Sequence, residues 1–162
     1  MARLQSLLHR SATKAGPHLR RTFEIPGHAL TSKQLVRYLD GGKVFALATV
    51  TLRGEPRVAP VGVLFDRGRP YVPTASDSAH VRNVAKNSSV SLTHWVSNFV
   101  AIIVHGHAAL VSRDGPEFAT LVAVLSEKWW QDLHRDRHGA FLRVEPDVIY
   151  TWAHEPSSFT EI

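Results

Sequence analysis

Cysteine is absent from this 162-residue chain, which removes disulfide frameworks, thiolate-ligated metals and cysteine nucleophiles from the possibilities. No uninterrupted apolar run approaches the roughly 20 residues of a bilayer-spanning helix, and the N-terminus lacks the compact apolar core of a secretory signal. A cytoplasmic protein without membrane contact is expected. Acidic residues are missing from the first 22 positions, which carry Arg3, Arg10, Lys14, Arg20 and Arg21. These account for the whole net charge of +5, because elsewhere Lys and Arg are balanced one for one by the 14 acids. A neutral body argues against a folded nucleic-acid-binding face. Residues 1–29 read as a basic flexible arm, although their Arg, Ser and Leu content is shared with organellar transit peptides.

What is present is a core of ordinary size. Apolar residues make up 44% of the chain, enough for one domain of this length. T-S-K-Q at 31–34 fits a capping box, in which Thr31 and Gln34 each satisfy the other's backbone N–H. A helix follows with Leu35, Val36 and Leu39 on its apolar face, and Gly41-Gly42 can end it. The texture then changes to β-branched and aromatic runs from 43 onward, at 57–66 and at 70–75, joined by the turns R-G-E-P and R-G-R. Pro60 cannot donate to a ladder, so an edge, bulge or irregular step is expected there. A short helix over 78–87, strands at 89–96 and 99–111, a helix over about 115–133 and a last strand at 140–152 complete the chain. Gly106 marks a bend or bulge in the fifth strand. Strands joined by tight turns with few helices between them predict a mainly β fold, an antiparallel sheet of Greek-key type closing as a barrel.

The stretch T-A-S-D-S-A-H-V-R-N-V at 74–84 gathers hydroxyls, an imidazole and a guanidinium where a helix begins. Two readings stay open. Ser78 or Asp77 caps the helix and the remainder is solvated surface. Alternatively, Thr74, Ser76 and Ser78 with His80 or Arg82 hold an anion at the helix start, joined by Arg57 if the second strand lies beside the third.

A-T-V-T-L-R-G-E-P-R-V-A-P-V-G-V at 48–63, P-Y-V-P-T-A-S-D-S-A-H-V-R-N-V at 70–84 and the later strand ending in H-G-H-A-A-L-V resemble the pyridoxamine 5'-phosphate oxidase-like superfamily. This is the FMN-binding split-barrel group that includes deazaflavin-dependent reductases. The resemblance covers about 30–154, which is taken as the domain, with 155–162 as a C-terminal tail. It implies a six-stranded split barrel with short flanking helices, homodimeric, with FMN or a deazaflavin at the subunit interface. It also implies a flavin-dependent oxidoreductase acting on a small organic substrate by hydride transfer, with no particular side chain assigned as catalytic. Carried over by position, the cofactor-binding residues are Arg57, Val58, Ala59, Pro60, Thr74, Ala75, Ser78, Ala79, His80, Arg82 and Asn83. Ala79 and His80 stand where Arg and Lys are usual, which makes phosphate binding pH-dependent or shifts it to Arg82. Pyridoxamine phosphate oxidation itself is not expected, because the chain ends soon after the last strand.

The alternative is a non-catalytic flavin or tetrapyrrole binder, of heme or biliverdin type, using the same groove. His94, His105 and His107 lie on neighbouring strands, but no carboxylate at matching spacing accompanies them. They read as hydrogen-bonded barrel or interface histidines rather than as a metal site. Trp129, Trp130 and Trp152 read as core or interface anchors in preference to a stacking platform, and H-R-D-R-H-G at 134–139 reads as a solvated loop.

Overall fold

A computed structural model describes residues 1–126 and 137–159. Six strands run β1 (Lys43–Val50), β2 (Pro56–Asp66), β3 (Arg69–Ala75), β4 (Ser89–Val96), β5 (Val100–Leu110) and β6 (Gly139–Ala153). All pair antiparallel in a closed barrel of order β1-β2-β3-β6-β5-β4, as the strand pattern predicts. Among the described residues five helices surround it: α1 (Ala2–Lys14), α2 (Pro17–Thr22), α3 (Ser32–Leu39), α4 (Ala79–Val84) and α5 (Pro116–Ser126). A 3-10 turn follows at Pro156–Ser158. Among the described residues no helix is long and apolar enough to cross a membrane.

Local chemistry sets several of these elements. Thr31 and Gln34 form the expected capping box on α3, with both reciprocal bonds present. Gly41 and Gly42 then take positive φ and end the helix. Gly106 sits at the register shift between β5 and β6. A Cβ there would lie 2.2 Å from the Glu145 carbonyl oxygen, so only glycine lets the two backbones meet.

The barrel is split. β2 pairs with β3 only through Leu64, Phe65 and Asp66. β6 in turn meets β3 only through residues 139–143. Arg57–Val63 and residues 144–153 therefore each keep one edge without a strand partner, and the first of these edges tolerates Pro60.

The edge of β6 is covered by the segment expected to be a loose arm. Leu4, Leu7, Leu8 and Ser11 recur at helical spacing and are buried on α1. Ser11 Oγ accepts from Ile149 N at 2.9 Å and donates to Leu7 O. Thr151 Oγ1 accepts from Leu30 N, and His28 O from Ala153 N. The Arg20 guanidinium donates to the carbonyls of Ala12, Thr13 and Ala15 and so closes the C-terminus of α1. Residues 1–29 thus contribute two helices and part of the main core, which joins the leucines of α1 to Leu35, Leu39, Val61, Val63 and Ile149. The tail also packs: Phe159 is buried against Tyr38 and Phe99.

Candidate functional site

The β1–β2 hairpin presents alternate side chains to its two faces. Register pairs Leu47 with Ala59 and Thr49 with Arg57, which places these four on one face. Over that face lies α4, whose Val81 and Val84 are buried. Its Asn83 Nδ2 donates to Thr49 Oγ1 at 3.0 Å, and Thr49 is only 2% exposed. Between hairpin and helix a groove of about 380 Å³ opens. Leu47, Thr49 and Ala59 lie on the hairpin side, Ala79, His80 and Asn83 on the helix side, with Arg57, Val58 and Thr51 completing the lining.

The start of α4 is a closed hydrogen-bond chain. Thr74 Oγ1 donates to Ser78 Oγ, which also accepts from Val81 N as the helix cap. With its proton committed to Ser78, Thr74 accepts from His80 Nε2 at 2.5 Å. That bond selects the Nε2–H tautomer and leaves Nδ1 as an acceptor when the ring is neutral. Burial pushes the His80 pKa below the ordinary histidine value, favouring that neutral ring. Arg57 is more than half exposed and ion-pairs with Glu55 at 2.7 Å, while its Nη1 donates to Pro56 O. Among the described residues Arg57 is the single permanently charged side chain in the lining.

The structure therefore brings together Arg57, Val58, Ala59, Ala79, His80 and Asn83. Arg57 meets α4 across β1 rather than across β3, because β2 and β3 separate before that point. Pro60, Thr74, Ala75, Ser78 and Arg82 do not line the groove. Thr74 and Ser78 support it through His80, whereas Arg82 turns back to donate to the Asp77 carbonyl. Thr49 and Thr51 are additions. Their alternation with Leu47 was visible in the sequence, but not which face α4 would cover.

The other histidines separate. His94 is buried and held between Tyr38 Oη and Val44 O, each at 2.8 Å. The carbonyl requires a proton on Nδ1, so Nε2 accepts from the tyrosine. His105 and His107 point to the opposite face, where they meet Ser91 and Ser88. Among the described residues no three His, Cys, Asp or Glu side chains gather to hold a metal. Trp152 stacks on His28 at 6.2 Å. Trp129, Trp130 and residues 134–136 of the expected loop lie outside the described residues, as does the end of the expected 115–133 helix.

Comparison with known proteins gives the same architecture. The chain is similar to HutZ, the heme storage protein from Vibrio cholerae, at 19% identity and a TM-score of 0.62, over 74% of this chain and 90% of that one. It is similar to the conserved hypothetical protein Rv2991 from Mycobacterium tuberculosis at 14% identity and a TM-score of 0.67, over 85% and 93%. An F420 reductase aligns at 16% identity with a TM-score of 0.50, over 65% and 87%. At these identities the likeness is one of fold. No curated protein sequence matches. The family described as pyridoxamine 5'-phosphate oxidase matches residues 31–153, the whole barrel from the cap of α3 to the end of β6. On that match, the chain belongs to the pyridoxamine 5'-phosphate oxidase family.

Proposed function

We propose that the groove between α4 and the β1–β2 hairpin binds a flavin-type cofactor, FMN or a deazaflavin, and that the protein is an oxidoreductase for a small organic substrate. The observation that carries this reading is the lining itself: an apolar side from Leu47 and Ala59, hydrogen-bonding groups from Thr49, Thr51, His80 and Asn83, and one guanidinium, Arg57. That donor set fits a planar ring carrying a phosphate. A bound flavin supplies the hydride chemistry. Arg57 binds the phosphate with Asn83 and the backbone at Ala79 and His80, while Val58 and Ala59 border the ring and Thr74 and Ser78 hold His80 in place. Val58, on the groove and 68% exposed, supports a homodimer in which a second subunit covers the cofactor.

One observation favours a second reading. Ala79 and a neutral His80 leave Arg57 as the sole fixed charge, and a neutral imidazole is the form that ligates metals. A heme or other tetrapyrrole carrier without catalysis would need less phosphate charge, and HutZ is described as a heme storage protein.

Titrating the full chain with FMN, with the deazaflavin coenzyme and with hemin separates these readings. Saturable fluorescence quenching by one flavin, followed by its reduction with a nicotinamide donor, is the expected result. A shifted Soret band with hemin and no flavin quenching would replace the oxidoreductase by the carrier.

A further inference from the structure

A second concavity lies on the opposite element of the fold, where α1 crosses the β2–β3 turn. Arg3, Arg10, Arg67 and Arg69 line it, with Leu4, Leu7, Gly68, Glu145 and Pro146. Arg3 and Arg10 are seven residues apart and so share one face of α1. Neither side chain makes a hydrogen bond or ion pair among the described residues. Glu145 is the one acid in the lining, and Arg69 and Arg143 both draw on it. Arg67 has only a loose contact with Asp66, at 3.6 Å. Gathering guanidinium groups with so few carboxylates is repulsive unless an anion joins them.

The turn is built unusually for this purpose. Arg67-Gly68 is a two-residue hairpin loop with both φ values positive, a geometry that favours Asn, Asp or Gly in the first place. A Cβ on Gly68 would sit 3.5 Å from Leu4 Cβ, an ordinary packing distance, so the turn lies against α1. Helix and turn thus pack side by side, and their arginines line one cavity. Its volume of about 80 Å³ holds a few waters or one tetrahedral oxyanion, and not a nucleoside.

We propose that this pocket is a second anion site, taking a single phosphate group between α1 and the β2–β3 turn. Arginine suits this ligand because its fork of donors matches phosphate oxygens. The site is independent of the flavin groove, from which it shares no residue.

Inorganic phosphate titrated calorimetrically into the Arg57→Ala protein, where the groove's own cation is gone, tests it. Saturable binding is expected, weakened roughly tenfold or more in an added Arg3→Ala/Arg10→Ala pair, as the loss of charge-assisted bonds requires. Both changes fall on exposed helix positions, and alanine favours helix. Arg67→Gly is the second variant, since glycine accepts the positive φ, and it should weaken binding likewise. Absent binding, or affinity unchanged in both variants, would overturn the proposal. Phosphatidate vesicles form the other arm: a recess sized for one free oxyanion predicts no capture beyond that by phosphatidylcholine vesicles. Vesicle capture without phosphate binding would refute a site for the free ion.

Discussion

Replacing Arg57 by alanine should separate binding from folding. In the structure the guanidinium is 57% exposed and its partner Glu55 50%. An ion pair so exposed contributes about 0–1 kcal/mol to stability. At this chain length that is a shift in Tm of no more than roughly 2–4 °C. Against a cofactor phosphate the same group makes charge-assisted hydrogen bonds worth about 1.5–3 kcal/mol, so FMN or deazaflavin affinity should fall roughly 10- to 150-fold. Fluorescence titration at fixed ionic strength, paired with a thermal melt, reads both quantities. Two further variants sharpen the result. Arg57→Lys keeps the charge without the planar fork and should fall between wild type and alanine. Glu55→Gln removes the carboxylate that competes for Arg57 and should tighten binding. Affinity unchanged in Arg57→Ala would refute the assignment of Arg57 to the phosphate.

Three more perturbations test the scaffold and the site's charge. Gly106→Ala drives a Cβ against the Glu145 backbone and should cost about 1–3 kcal/mol or more; an unaltered melt would contradict the close approach at the bulge. Ser11→Ala strips a buried acceptor from Ile149 N, with an expected loss of about 1–3 kcal/mol in urea unfolding. If the loss is instead negligible, Ser11 does not tie α1 to β6. Because burial lowers the His80 pKa, the unfolded chain takes up that proton first as the solution is acidified. The stability His80 contributes is therefore complete above about 6.5 and is lost as pH falls through the lower folded value. His80→Gln should flatten the acid limb of a Tm against pH curve, and parallel curves would show that His80 is not protected by burial.

How much the sequence revealed depended on the range of the interactions involved. The capping box of α3, the strand from Ser89 to Val96 and the bulge at Gly106 rest on neighbours in sequence or on a steric need of one residue, and each was legible. The arrangement around the groove was not, because it turns on where β2 leaves β3. Arg57 reaches α4 over the hairpin face that Thr49 shares, and nothing in the spacing of 57, 74 and 80 states that registry. The N-terminal helices were missed for another reason. The charges of Arg3, Arg10 and Lys14 dominate the composition, while Leu4, Leu7, Leu8 and Ser11 carry a helical period that composition does not record.

The seam covered by α1 has a consequence for assembly. A strand edge with free N–H and C=O groups is a template for another chain, and proteins hide such edges. Here Ser11, Leu30 and the His28 carbonyl occupy polar positions along β6. The first thirty residues thereby shield this edge from pairing with a strand of another molecule, a protection divided between Ser11 of α1 and the His28–Leu30 segment.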